Sequence, residues 1–187
     1  MFKLSKMKKI FLPVLMIFLC LSSCKKDEKP EVSTKDEKKD ASIDSVTKKE
    51  ELQVKFSNKT DQKLYQVYIE IKSALVNSDS ISVQKSAKKI EDIVISSEET
   101  KQLKATSKLI SLTKDLKKQR DFFISLTQEI EKQIRMSEIT SGAVYKQFCP
   151  MAFDGEGGYW LSDSKEIRNP YFGDKMLTCG HIKEVFE

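Results

Sequence analysis

Five side chains near the C-terminus have the types and spacing for soft-metal chemistry. Cys149 and Met151 sit in Cys149-Pro150-Met151, and Met176, Cys179 and His181 sit in Met176-Leu177-Thr178-Cys179-Gly180-His181. Thiolate, thioether and imidazole are soft or borderline donors that favour Cu(I) or Zn(II) over Mg(II) or Ca(II). Coordination by few soft donors suits Cu(I), whereas a closed thiolate–imidazole set suits Zn(II). A second reading stands beside the first. In an exported protein two cysteines pair as a structural disulfide, and methionines beside aromatics fill a core.

Export is read from the other end of the chain. Lys3, Lys6, Lys8 and Lys9 precede an apolar run from Ile10 to Leu21, too short to span a bilayer and arranged as the charged and apolar parts of a signal peptide over residues 1–23. Leu21-Ser22-Ser23-Cys24 resembles the lipobox of bacterial lipoproteins, which makes Cys24 the expected lipid attachment site; Cys20 fits less well because Leu19 before it is large. Stable anchoring by acyl chains needs no transmembrane helix. The expected location is therefore the bacterial cell envelope, on its periplasmic side or at the cell surface. Removing those four lysines takes the net charge of +5 to about +1. With its lysines scattered among acidic residues, the chain has no basic stripe for nucleic acid.

Residues 24–57 are rich in Lys, Asp, Glu, Ser and Thr and read as a disordered charged tether. The period then becomes helical. Leu64, Val67, Tyr68, Ile71 and Leu75 form one face, and Asn77-Ser78-Asp79-Ser80 stops that helix and caps the next. The second helix carries Val83, Ala87, Ile90 and Val94 inward, and Ser96-Ser97-Glu98-Glu99 closes it and opens the third. From Thr100 to Met136 apolar residues recur at Leu103, Leu109, Leu112, Leu116, Phe123, Leu126, Ile130 and Ile134, with cap types at Thr113 and Asp115 marking a break. The expected fold is mainly α: a four-helix up-and-down bundle over 58–140, with a small Cys/Met-rich β-hairpin and loop module over 141–187 packed on it. In that module Ala143–Phe148 and Tyr159–Leu161 read as the two strands, with Cys149 to Met151 at the bend and a further turn at Asn169–Asp174. Trp160, Tyr171 and Phe172 are expected in its core.

Catalysis finds little support. One histidine excludes a Ser/His/Asp constellation, the glycines at 155–158 lack the setting of a phosphate loop, and Gln119-Arg120-Asp121 beside Phe122 and Phe123 reads as a packing feature. Cys-Pro-Met also lacks the second cysteine of a redox pair.

Taken together, Tyr145-x-Gln147-x-Cys149-Pro150-Met151-Ala152, Gly158-Tyr159-Trp160-Leu161-Ser162 and Ile167-x-Asn169-Pro170-Tyr171-Phe172-Gly173-x-x-Met176-Leu177-x-Cys179-Gly180 resemble the signature of a bacterial domain of unknown function. That domain occurs as a free exported lipoprotein and fused to periplasmic adaptor subunits of copper/silver efflux pumps. Ala74-Leu75-Val76-x-x-Asp79 and Asp115-Leu116-x-x-Gln119-Arg120-x-x-Phe123 resemble its helix motifs. The resemblance implies a heavy-metal context, with Cys149, Met151, Met176 and Cys179 as candidate ligands; His181 rests on its chemistry alone. The expected function is an envelope lipoprotein that binds copper or a similar soft ion, is held at the membrane by its lipid, and has an efflux adaptor or other envelope protein as partner. No enzymatic activity, small-molecule substrate or nucleic-acid partner is expected. The alternative is a non-catalytic docking module with Cys149 and Cys179 in a structural disulfide.

Overall fold

The computed structural model describes residues 52–187. The expected signal peptide (1–23), the lipid site Cys24 and the tether as far as residue 51 lie outside the described residues. Four helices, α1 (Lys59–Val76), α2 (Ser80–Ile93), α3 (Lys101–Leu112) and α4 (Leu116–Met136), each pack on the next, and α1 closes the bundle against α4. Short polar stops set these boundaries. Asn58 caps α1 through Thr60 N–H (2.7 Å), Asp79 caps α2 through Ile81 and Ser82, and Asp115 caps α4 through Lys117 and Lys118. No described helix is long and apolar enough to cross a membrane.

The inner faces of α1, α2 and α4 follow the apolar period, with Leu64, Ile71, Leu75, Val83, Ile90, Phe123, Leu126 and Ile130 all buried. Helix α3 departs from it. Its buried stripe is Leu103, Thr106, Ser107 and Ile110, and Leu109 and Leu112 are 48% and 71% exposed. The helix follows the residues three and four places from Leu103, so leucines six and nine places on fall outside its inner stripe. Ser107 is buried without loss because its hydroxyl donates to Leu103 C=O (2.8 Å).

The segment before α1 corrects the tether boundary. Strand β1 (Lys55–Phe56) pairs antiparallel with β2 (Ile139–Ser141), and Val54 and Phe56 are buried in the core. Ordered structure therefore reaches back at least to Leu52, and the chain entering the bundle is clasped to the chain leaving it. The alternation Leu52, Val54, Phe56 places three apolar side chains on one side of an extended segment, the burial that a charged composition hides.

Beyond β2 the chain forms a three-stranded antiparallel sheet in the order β4 (Gly158–Ser162), β3 (Val144–Cys149), β5 (His181–Phe186). β3 and β4 are the expected hairpin, and the returning segment becomes a third strand on the far side of β3. The outer edge of β4 meets the bundle. Leu161 N–H donates to the Tyr68 hydroxyl (2.9 Å), and the Tyr171 hydroxyl donates to Tyr159 C=O. Two tyrosines thus satisfy an edge that would otherwise invite another strand. Tyr68 also bonds Thr127 Oγ1 (2.9 Å), which joins α1, α4 and β4 at one hydroxyl.

A chain of ring contacts runs through this joint. Phe56, Tyr65, Tyr68, Phe123, Tyr171 and Trp160 touch in succession with centroids 5.2 to 6.1 Å apart. Trp160 and Tyr171 are core, as expected, and Phe172 packs against it half-buried. At the opposite side Glu131 of α4 accepts from Lys146 (2.8 Å) and Arg135 (2.6 Å), and Arg135 reaches Glu184 (2.8 Å) and lies over the Phe186 ring. Burial alone pushes the Glu131 carboxyl up, but hydrogen bonds from Lys146, Arg135 and Tyr159 outweigh it and leave the group below the usual carboxylate range.

Candidate functional site

The candidate ligands are sorted by the register of one strand. Gln147 stands opposite Trp160, and the Trp160 indole N–H donates to Gln147 Oε1 (2.7 Å) with both residues fully buried. Side chains two apart share a face. Cys149 therefore points to the same buried side as Gln147, and it too is fully buried. Phe148 points the other way. His181 is its direct partner on β5, their rings are 5.8 Å apart, and His181 is exposed. Residues directly opposite in an antiparallel pair lie on one face, so His181 leaves the sheet on the side away from Cys149. The expected five-residue set is divided here.

Cys179 is brought to Cys149 by a break in the strand. Continuing the Phe148–His181 register puts Gly180 opposite Cys149, and a regular strand would turn Cys179 to the far face. Gly180 has φ +147°, and a Cβ there would meet Trp160 Cη2 at 2.9 Å and Phe148 C=O at 3.0 Å. Only glycine accepts that backbone and that closeness. Asn169 fixes the turned segment: its Nδ2 donates to Cys179 C=O (3.0 Å), its Oδ1 accepts from Tyr171 N–H (2.9 Å), and its own N–H donates to Leu177 C=O (2.8 Å). Both cysteines are free. The interaction with Cys149, reinforced by burial, pushes the Cys179 thiol up, while Met151 N–H directed at its sulfur opposes the shift.

The methionines divide as well. Met151 is 57% exposed at the hairpin bend and stands on the rim of a cleft of about 700 Å³, whose walls include Lys117, Arg120, Phe153, Tyr171 and Lys175. Met176 is half-buried in a 3₁₀ turn (Gly173–Met176) and does not line that cleft; its C=O accepts from Cys179 N–H (3.1 Å). The structure thus gathers Cys149, Cys179 and the Met151 backbone, with the Met151 side chain at the same bend. Among the described residues no three His, Cys, Asp or Glu groups are placed to hold an ion.

Residues with no ligand chemistry of their own set this geometry. Gln147 ties the strand to the next loop through Ser164 C=O (2.9 Å) and Glu166 C=O (3.1 Å). Arg120 donates to Pro170 C=O (2.9 Å), Leu75 C=O (3.1 Å) and Ser78 Oγ (3.1 Å), fastening the 170–173 segment to the end of α1. Asp121 pairs instead with Lys117 (3.1 Å), so Gln119-Arg120-Asp121 is a packing clamp. The sequence signal for these positioning roles was an amide or guanidinium beside a turn, which is also the signal of many surface residues.

Residues 64–142 match the family described as "Protein of unknown function (DUF3347)". The match takes in most of α1 and the whole of α2 to α4, including the motif residues Asp79, Asp115, Gln119 and Arg120, and ends before β3. No curated protein and no solved structure matches the chain.

Proposed function

We propose that the chain is a non-catalytic lipoprotein of the bacterial envelope, anchored through Cys24, that holds one Cu(I) ion between Cys149 and Cys179 with Met151 as third donor. What supports this reading is two free cysteines, Cys149 and Cys179, that interact with each other, with the exposed Met151 two residues beyond Cys149 and its backbone N–H directed at Cys179. Two thiolates and a thioether suit a soft ion of low coordination number. A closed Zn(II) site wants four donors, and the separation of His181 from the thiols leaves that set incomplete. The likeness of the C-terminal motif to domains fused to copper/silver efflux adaptors supports the same ion class, and an envelope protein that supplies or accepts the ion is the partner it suggests. Binding would proceed by ligand exchange, with release of thiol protons.

The test is Cu(I) titration of the anaerobically reduced full chain, carrying Cys20→Ser and Cys24→Ser, against a competing chelator. One equivalent should bind. Cys149→Ser with Cys179→Ser should lower affinity by at least about 100-fold, Met151→Leu by about tenfold, and His181→Ala should leave it unchanged. Unchanged affinity in the double cysteine variant overturns the reading.

A further inference from the structure

One end of the bundle carries apolar and positive surface that the fold does not use. Gln119 Nε2 donates to both Ser80 C=O (3.0 Å) and Thr113 C=O (2.7 Å), and Gln84 Nε2 donates to Ser111 C=O (2.8 Å), so the start of α2, the end of α3 and the start of α4 meet there. Helix α3 buries Leu103, Thr106, Ser107 and Ile110. A turn of about 100° per residue brings Lys101, Ala105, Lys108 and Leu112 to the opposite side with Leu109 beside them, and all five are exposed. Leu112 is 71% exposed, Leu109 48% and Ile81, on the first turn of α2, 43%. Helix α3 has no acidic residue. Lys101, at the far end of the stripe, pairs with Glu98 (3.6 Å), and Lys117 with Asp121 (3.1 Å), while the Asp115 carboxylate is turned to the N–H groups of Lys117 and Lys118. Lys108 in the stripe, and Lys114 and Lys118 just after it in the chain, are exposed and have no carboxylate partner among the described residues.

We propose that this end of the bundle docks on a bilayer surface of anionic phospholipid, with Leu109, Leu112 and Ile81 entering the boundary between headgroups and acyl chains and Lys108, Lys114 and Lys118 meeting the phosphates. Exposed leucines set among lysines are the composition of an interfacial surface: apolar side chains enter the acyl boundary, and lysine stems lie along it while their ammonium groups stay at the headgroups. The exposed cations here are all lysine; Arg120 is turned away, to Pro170, Leu75 and Ser78. A compact ammonium suits a fluid layer of phosphates that offers no fixed geometry, whereas protein interfaces favour arginine and are depleted in lysine. A second copy of the chain would bring the same lysines face to face, and their repulsion opposes that pairing. Neither copper nor an acyl chain on Cys24 is required for the docking.

The mature chain, residues 24–187 carrying Cys24→Ser, is mixed with vesicles of phosphatidylcholine alone or with about one third phosphatidylglycerol, and binding is read by co-sedimentation. This chain lacks the apolar run from Ile10 to Leu21, which would enter a bilayer on its own account. Anionic vesicles should bind it at least about tenfold more tightly than neutral ones, and added salt should weaken the binding. Leu109→Gln with Leu112→Gln should lower affinity for anionic vesicles at least about tenfold, and Lys108→Gln with Lys114→Gln should do the same. Lys59 and Lys63 lie at the other end of the bundle, where Ser137 at the close of α4 donates to Asp61 (2.8 Å). Lys59→Gln with Lys63→Gln removes the same charge there and should change affinity by less than about twofold. All six side chains are exposed, so circular dichroism of the variants should match the parent. No preference for anionic vesicles, equal losses from the two lysine pairs, or parental binding in the leucine pair overturns the proposal. Binding to soluble polyglutamate but not to vesicles would assign the face to an acidic protein and likewise overturn it. Failure of the Cu(I) titration would leave vesicle binding unchanged.

Discussion

In the bundle, Asp79 and Asp115 cap helices, Gln119 donates to Ser80 C=O (3.0 Å) and Thr113 C=O (2.7 Å), and Arg120 binds two backbone carbonyls and a hydroxyl. In the sheet module, Gln147 and Asn169 play the same part for the loops, yet Cys149, Cys179 and the Met151 side chain end no helix and tie no strand. The bundle's motif residues are engaged by hydrogen bonds, mostly to the backbone, that the fold requires, although the buried Gln119 Oε1 has no hydrogen-bond partner among the described residues. The module has the same structural devices and, in addition, three sulfur-bearing side chains that make no such bond: Cys149 in the core, Cys179 packed against it and Met151 exposed. That difference places the candidate chemistry in the module and makes the bundle its support.

Trp160→Ala breaks the comparison most severely, because the side chain is fully buried, bonded to Gln147 and in ring contact with Tyr171. It should cost about 3–5 kcal/mol in urea denaturation. Hydrogen exchange should quicken in α1 and α4 together with β3; quickening confined to the sheet would show that the bundle stands without the module.

The joint itself is tested by two tyrosines of α1. Tyr68→Phe leaves Leu161 N–H buried without its acceptor and should cost about 1–3 kcal/mol. The Tyr65 hydroxyl is also buried but has no hydrogen-bond partner among the described residues, so Tyr65→Phe should change stability by less than about 0.5 kcal/mol or raise it. Equal losses in the two variants would sink the view that the edge of β4 is held by a specific hydroxyl.

The smallest effect belongs to a cap. Hydrogen bonds from the Ser82 hydroxyl and backbone hold the Asp79 carboxyl below the usual aspartate range. A depressed carboxyl contributes stability above its unfolded value of about 3.9 and loses it as pH falls through its lower folded value. Asp79→Ala should cost about 1 kcal/mol at neutral pH, with the gap to the parent narrowing below about pH 4. A gap that widens in acid would contradict this assignment.

The helix breaks at Asp79 and Asp115 and the hairpin around Cys149 were legible in the sequence, because caps and turns depend on a few adjacent residues. Strand β1 was less so: Leu52, Val54 and Phe56 alternate, but their burial depends on β2 some eighty residues later, and a charged surrounding looks the same whether or not that partner exists. Leu109 and Leu112 were misplaced because apolar type marks a face only when the helix phase is known.

By itself the sequence determined the donor types, the four helices and the paired strands, since these follow from side-chain chemistry and short-range periodicity. Which donors meet was decided by the tertiary structure alone. One residue of strand parity sends His181 to the opposite face from Cys149, and one positive φ at Gly180 turns Cys179 back toward it. Parity and that turn are properties of pairing between segments thirty residues apart, set by packing against Trp160 and by the hydrogen bonds of Asn169, and no local pattern encodes them.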